Sequence, residues 1–216
     1  MITVELPFPY IIEENGGIAG YGGNQDWFPQ EWQRKAGCGA TNGANMAAYY
    51  GLQVSGMEAL YEGSRQPVKK AEYLALMEEM YRRMTPGVMG YPYPVKLGKR
   101  FAEYAAERGV KLTPAVHCHW ENWQEGFAIV RQAIDAGRPV GLLILVHRAE
   151  ELQEDIWHWV TVTGYTLPEK EEEKPMVILS DCGDRDLYRA DVLLEVHRKN
   201  LVRMVEFEAP AAGEDA

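Results

Sequence analysis

The sequence predicts an α+β protein in which a helical lobe packs against an antiparallel β-sheet lobe, with a cleft between the two. Three observations point there. Apolar residues recur at helical spacing through the first two thirds of the chain, short β-branched runs follow one another after Pro139, and Gly or Pro punctuates nearly every change of pattern. Helices first and strands afterwards is the order of segregated elements, not of alternating βαβ units.

Residues 1–36 are rich in Gly, Pro and aromatics and read as mostly loop, with one short strand near Thr3 to Leu6. Gly39 to Tyr50 is a run of small residues, with Ala40, Ala44, Ala47 and Ala48, and Gly51 is the expected C-terminal cap. Low bulk on every side suits a buried helix. Pro67 is expected to open the next helix, where Tyr73, Met77, Met80 and Met84 share one face and Pro86-Gly87 ends it. A third helix is expected from about Val95 to Arg108, closed by Gly109. Lys111 to His119 reads as a strand, and Trp123, Phe127, Val130 and Ile134 mark a fourth helix stopped by Gly137. Val140 to His147, Trp157 to Tyr165, Met176 to Asp181 and Leu201 to Phe207 read as strands, with a short helix capped by Asp191 before the last. Glu169 to Lys174 is charged and lies between two apolar runs, as a solvated hairpin loop would.

At 216 residues the chain suits a single domain over 1–216, with 1–137 mainly helical plus the N-terminal loop region and 138–216 mainly antiparallel β. Hydrophobic residues at 46% and charged residues at 25% exclude a disordered chain and a fibre. The net charge is −10 and no run of Lys or Arg could track a phosphate backbone, so no nucleic-acid partner is expected. The longest uncharged apolar run, Pro139 to Val146, is far too short to span a membrane. Met1 to Tyr10 lacks the basic start of a signal peptide, which makes a cytoplasmic protein the expectation. Three cysteines do not make a disulfide-stapled module and agree with a reducing compartment.

Cys38, between Gly37 and Gly39, stands where the small-residue helix begins. A helix N-terminus offers free N–H groups and the positive end of the dipole, which favour an anion. The dipole alone is too weak to make a nucleophile. A free thiol has a pKa of about 8.5, and lowering it by two units requires roughly 2.7 kcal/mol. A helix terminus supplies about 0.3–1 kcal/mol, and about 2 at best. A cation must therefore stand beside the sulfur, and a histidine is the usual one. Without one, a small buried cysteine filling a helix end explains the residue equally well.

Five histidines are available. His197 lies in a charged stretch and His147 ends a strand beside Arg148. His117 and His119 flank Cys118 on the strand ending there and share a face, but no third metal ligand is visible, and no cofactor is expected. His158 begins a strand between two tryptophans, on the face of Val160 and Val162. A catalytic imidazole needs a partner on its far nitrogen to fix its tautomer. Asp181 ends the next strand, so an antiparallel pairing through the charged loop makes it a neighbour of His158.

The order Cys38, His158, Asp181 resembles the papain-like cysteine peptidase superfamily, and most closely its bacteriocin-leader-processing (double-glycine) peptidase-like branch. The matching segments are Gly37-Cys38-Gly39-Ala40-Thr41, His158-Trp159-Val160 through Gly164-Tyr165, and Ile178-Leu179-Ser180-Asp181, within a resemblance running from about Gln25 to Phe207. The resemblance implies a papain-like fold with the active site in the cleft between the lobes. It implies a Cys-His-Asp triad that cleaves peptide bonds through a thioester, with a peptide or protein as substrate. The family also uses a glutamine upstream of the cysteine to bind the oxyanion. Gln25, thirteen residues before Cys38 in a glycine-rich loop, is preferred over Gln33, five before it among charged residues. Cys182 stands where relatives often carry Pro. Two other readings keep the same residues: an amidase or acyltransferase, and a papain-like shell that binds without catalysis. Cys118 and Cys182 are poor candidate nucleophiles, the first in mid-strand and the second beside an aspartate.

Overall fold

The computed structural model of the protein describes residues 1–170 and 172–209. The chain runs β1 (Ile2–Glu5), β2 (Tyr10–Ile12), β3 (Ile18–Tyr21), α1 (Glu31–Ala36), α2 (Cys38–Gln53), β4 (Val68–Lys69), α3 (Lys70–Arg83), α4 (Pro94–Ala106) and β5 (Thr113–His117). It continues with α5 (Trp123–Asp135), β6 (Val140–Val146), β7 (His158–Leu167), β8 (Met176–Asp181), β9 (Asp184–Arg189), α6 (Ala190–Leu193) and β10 (Leu201–Glu208). The architecture is α+β. A seven-stranded sheet has the order β5-β10-β6-β7-β8-β9 with antiparallel neighbours throughout. β1 pairs with the far half of β7, from Glu5 opposite Gly164 to Ile2 opposite Leu167, where β6 no longer reaches. Thus β1 and β5, both from the first 137 residues, belong to the large sheet.

β7 is the axis of this sheet. It pairs along both edges, and its residues from Trp159 to Thr166 are all buried. α2 and α5 pack on it, which explains why its apolar run carries no solvent-facing alternation. The buried side chains of α2–α5 and of the sheet form one continuous core. Among the described residues no helix is long and apolar enough to cross a membrane.

Most elements sit where periodicity puts them, and the differences have local causes. α2 runs through Gly51 to Gln53, and the Val54 N–H caps Tyr50. Gly51 is there for space, because a Cβ on it would stand 2.6 Å from the Tyr61 backbone nitrogen. Pro67 does not open α3. Val68–Lys69 first pairs in parallel with Ile11–Ile12, and the helix begins at Lys70. The N-terminal region is less of a loop than its composition suggests, since β2, β3 and β4 form a second small sheet and Glu31–Ala36 is helical. β5 ends at His117, leaving Cys118 and His119 beyond it. β9, Asp-Arg-Asp-Leu-Tyr-Arg in sequence, is an edge strand, the position where charged strands are tolerated. The connection between β7 and β8 contains Glu171, and 210–216 follow β10; these lie outside the described residues.

Candidate active site

α2 brings Cys38 to the sheet through two asparagines in an otherwise small or apolar helix. Asn42 Nδ2 donates to the Val160 carbonyl at 2.8 Å and to Thr161 Oγ1 at 3.0 Å. One turn on, Asn45 Nδ2 donates to Thr161 Oγ1 at 3.0 Å and Ser180 Oγ at 3.3 Å. Asn45 Oδ1 accepts from the Gly23 N–H at 2.8 Å and the Tyr73 hydroxyl at 2.7 Å. All four groups around Asn45 are buried, so this one amide locks α2, β7, β8, α3 and the loop before Gln25 into a single register.

Only Gly37 separates α1 from α2. A Cβ there would come within 2.4 Å of the Gln33 carbonyl oxygen and 2.6 Å of the Phe28 ring, and one on Gly39 would meet Tyr91 at 3.2 Å. The two glycines flanking Cys38 therefore serve packing within the protein. Cys38 is the first residue of α2 and only 6% exposed.

His158 begins β7 and Asp181 ends β8. Thr161 lies opposite Ser180, which puts Asp181 on the same face as His158. His158 Nε2 donates to Asp181 Oδ1 at 2.7 Å, with side-chain exposures of 15% and 13%. Cys38 and Cys182 both bear on the same imidazole, and Cys182 Sγ is 3.7 Å from Nε2. Burial is the largest influence on His158 and opposes its charge. The Asp181 hydrogen bond and the two sulfurs outweigh it, and the imidazole is held well above the usual histidine range. Burial likewise opposes the Asp181 charge, but His158 keeps that carboxyl below its usual value. Burial pushes the Cys182 thiol up.

Asp155 completes this cluster. It lies within hydrogen-bonding reach of Asp181 and accepts from the Tyr188 hydroxyl at 3.0 Å. Burial and then the Asp181 charge raise its proton affinity. Of the two carboxyls, Asp155 is therefore the one that takes up a proton more readily, and Asp181 the one whose charge is favoured beside His158. Two non-glycine residues have positive φ among those described, Trp157 at 61° and Cys182 at 44°, and they adjoin His158 and Asp181 respectively. Such conformations cost on the order of 1–3 kcal/mol each and gather where side chains must be aimed.

Gln25 lies in a 3-10 turn, two residues past Gly23, where an added Cβ would stand 3.1 Å from Thr41 Cγ2 in the first turn of α2. Gln25 Oε1 is buried and meets no donor among the described residues. Gln33 is also buried, but its Oε1 accepts from the Gln30 N–H at 3.1 Å and so closes the start of α1. The remaining histidines are elsewhere. His117 Nε2 pairs with Glu206 at 3.2 Å and His119 is exposed. His147 is buried, with Nδ1 accepting from the Ala149 N–H, and His197 Nδ1 accepts from the Lys199 N–H.

Sequence reasoning passed over Asn42, Asn45 and Asp155. The asparagines carried a signal, since two polar amides three residues apart in a buried helix require partners. Asp155 carried none, because its neighbours in space come from β8 and β9.

No protein-family profile and no curated protein sequence matches the chain. Among solved structures it aligns with the Pseudomonas avirulence protein AvrPphB at a TM-score of 0.36 and 11% identity, over 83% of this chain and 95% of that one.

Proposed function

We propose that the chain is a papain-like thiol hydrolase that cleaves peptide bonds. The observation that carries this reading is one imidazole between two partners: His158 bonded to Asp181 at 2.7 Å on Nε2 and bearing on Cys38 at the start of a buried helix. With Nε2 directed at Asp181, Nδ1 is the ring nitrogen left to exchange a proton with Cys38.

The thiol of Cys38 gives its proton to His158, and Sγ attacks the carbonyl carbon of the scissile bond. The oxyanion that forms is met by the Cys38 backbone N–H and the Gln25 amide, and one such donor contributes roughly 3 kcal/mol. The C–N bond then breaks and His158 protonates the departing amine, leaving a thioester on Cys38. His158 next takes a proton from water, the hydroxide attacks the thioester, and the thiol and a free carboxylate result. Asp181 holds the ring in one tautomer and stabilises its charged form.

Cys38 is preferred over Cys182 as the nucleophile. Cys38 heads a sixteen-residue helix, whereas Cys182 follows an ionised aspartate and its thiol is pushed up by burial. The similarity to double-glycine leader peptidases makes a peptide with a Gly-Gly pair before the scissile bond the first substrate to test.

The experiment is alkylation at neutral pH followed by peptide mapping, alongside hydrolysis of a Gly-Gly peptide library. Fast labelling confined to Cys38, lost in His158→Ala, together with peptide cleavage lost in Cys38→Ser, is the expected result. Equal slow labelling of Cys38, Cys118 and Cys182 would overturn the reading. Cleavage of small amides but not of any peptide would move it to an amidase.

A further inference from the structure

The sulfur of Cys182 has no part in the chemistry above, yet it is turned toward His158 Nε2 at 3.7 Å. It is half-buried and outside the hydrophobic core cluster, so filling the core does not explain it. Nor does the turn. Its φ of 44° is a conformation in which Gly or Asn costs less than Cys. Cys182 and Gly183 link β8 to β9, and the left-handed step at Cys182 accompanies a thiol directed at the imidazole Nε2.

Together His158 Nε2, an Asp181 carboxylate oxygen and Cys182 Sγ lie within 4.8 Å of one another. They supply one nitrogen, one oxygen and one sulfur, and each is partly buried. We propose that His158, Asp181 and Cys182 bind a thiophilic divalent cation of the zinc class, and that this cation and the Cys38 thiol compete for the same imidazole. The competition rests on the reading of Cys38 and His158 as a working pair, whereas the binding site does not.

The geometry can be compared with a tetrahedral centre. With Zn–N near 2.05 Å and Zn–S near 2.3 Å, nitrogen and sulfur stand about 3.6 Å apart. The observed separation is 3.7 Å. Nitrogen and oxygen would stand about 3.4 Å apart around the same ion. They are now 2.7 Å apart across a shared proton. Replacing that proton by the cation therefore opens the pair by roughly 0.7 Å, within reach of a carboxylate rotation. Three protein donors leave the fourth tetrahedral position to water. A thiolate and an imidazole in the donor set select zinc-class ions over magnesium or calcium, which take oxygen. Asp155, hydrogen-bonded by Tyr188 and reaching Asp181 from behind, orients the ligating carboxylate. On binding, the Cys182 thiol proton leaves to solvent and the ring proton moves from Nε2 to Nδ1, so the nitrogen left to Cys38 already carries a hydrogen. The ring is then held on the metal and its neighbour Asp181 is no longer available to stabilise an imidazolium, so Cys38 loses its proton acceptor.

The test uses the full chain with Zn2+ alone, read by calorimetry, and with Co2+, whose thiolate charge-transfer absorption reports a sulfur ligand. The native chain and Cys38→Ser are expected to bind one equivalent of either ion with that absorption. In Cys182→Ser and Cys182→Gly, the second of which accepts the left-handed backbone, the absorption disappears and affinity falls at least ~100-fold, beyond the loss typical of an outer partner. Circular dichroism verifies that these variants are folded. The site is overturned if the native chain takes up no ion, if both Cys182 variants bind as tightly as the native chain, or if the absorption vanishes in Cys38→Ser instead. Zinc is also expected to slow alkylation of Cys38 in the native chain. Binding through Cys182 with no such slowing would overturn the competition while leaving the site. A native chain that binds the ion but has no reactive Cys38 would sink the hydrolase reading alone.

Discussion

Asn45 on α2 and Thr161 on β7 are 116 residues apart in the chain and joined at 3.0 Å. Through this bond, and through the Ser180, Tyr73 and Gly23 contacts of the same amide, the helix that begins with Cys38 is set against the strand that begins with His158. The distance between a sulfur and an imidazole is thus controlled two helical turns from the one and three strand residues from the other.

Asn45→Ala strands several buried polar groups, each worth about 1–3 kcal/mol when unpaired. Denaturant unfolding is expected to show a loss of that order. Alkylation of Cys38 should slow as well, because the register between α2 and β7 relaxes. A variant as stable as the native chain, with unchanged labelling, would remove Asn45 from this role.

Gln25 and Gln33 should separate cleanly. Gln25→Ala is expected to lower turnover of a cleaved peptide by about 10²–10³ with little change in stability, as loss of one oxyanion donor does. Gln33→Ala loses the bond that closes α1 and should cost stability of about 1 kcal/mol while turnover stays within a few-fold. The reverse pattern would reassign the donor.

The carboxyl pair predicts opposite pH signatures. Asp181 is held below its usual value by His158 despite burial, so its contribution is present above about pH 3.9 and fades as pH falls through the folded value. His158 is held well above its usual range, so its contribution is present below about pH 6.5 and fades as pH rises through the folded value. The difference in melting temperature between the native chain and Asp181→Asn should therefore be greatest between these limits and close on acidification. Asp155 is raised by burial and by Asp181, so stability is lost as pH rises through its folded value. Asp155→Asn keeps a donor toward Asp181 without the charge, and should gain on the native chain as pH rises. Melting curves at several pH values that run parallel for all three proteins would contradict both assignments.

Gly37→Ala tests the tight junction before Cys38. The added methyl meets backbone at 2.4 Å and the Phe28 ring at 2.6 Å, which forces α1 to shift. A destabilisation of about 1–3 kcal/mol is expected by chemical denaturation, typical of overpacking. A neutral outcome would mean that the junction yields freely.

Local pattern alone was enough to locate α3, α4, α5 and the strands β6, β7, β8 and β10, because each carries its own periodicity and its own Gly or Pro stop signal. It was enough, too, to single out Cys38 as a helix-opening cysteine, and His158 and Asp181 as the facing ends of consecutive strands, since hairpin pairing is a short-range matter. What pattern could not contain was anything held by partners distant in the chain. β2, β3 and β4 are too short to be stable except against one another, and β9 is a strand only because β8 offers it an edge. The same holds at the site. Gln25 differs from Gln33 through what each amide touches, Asp155 joins Asp181 across separate elements, and Cys182 faces His158 from a left-handed turn position. Periodicity records which side of an element is apolar, whereas the position of one polar atom relative to another is decided when the elements pack.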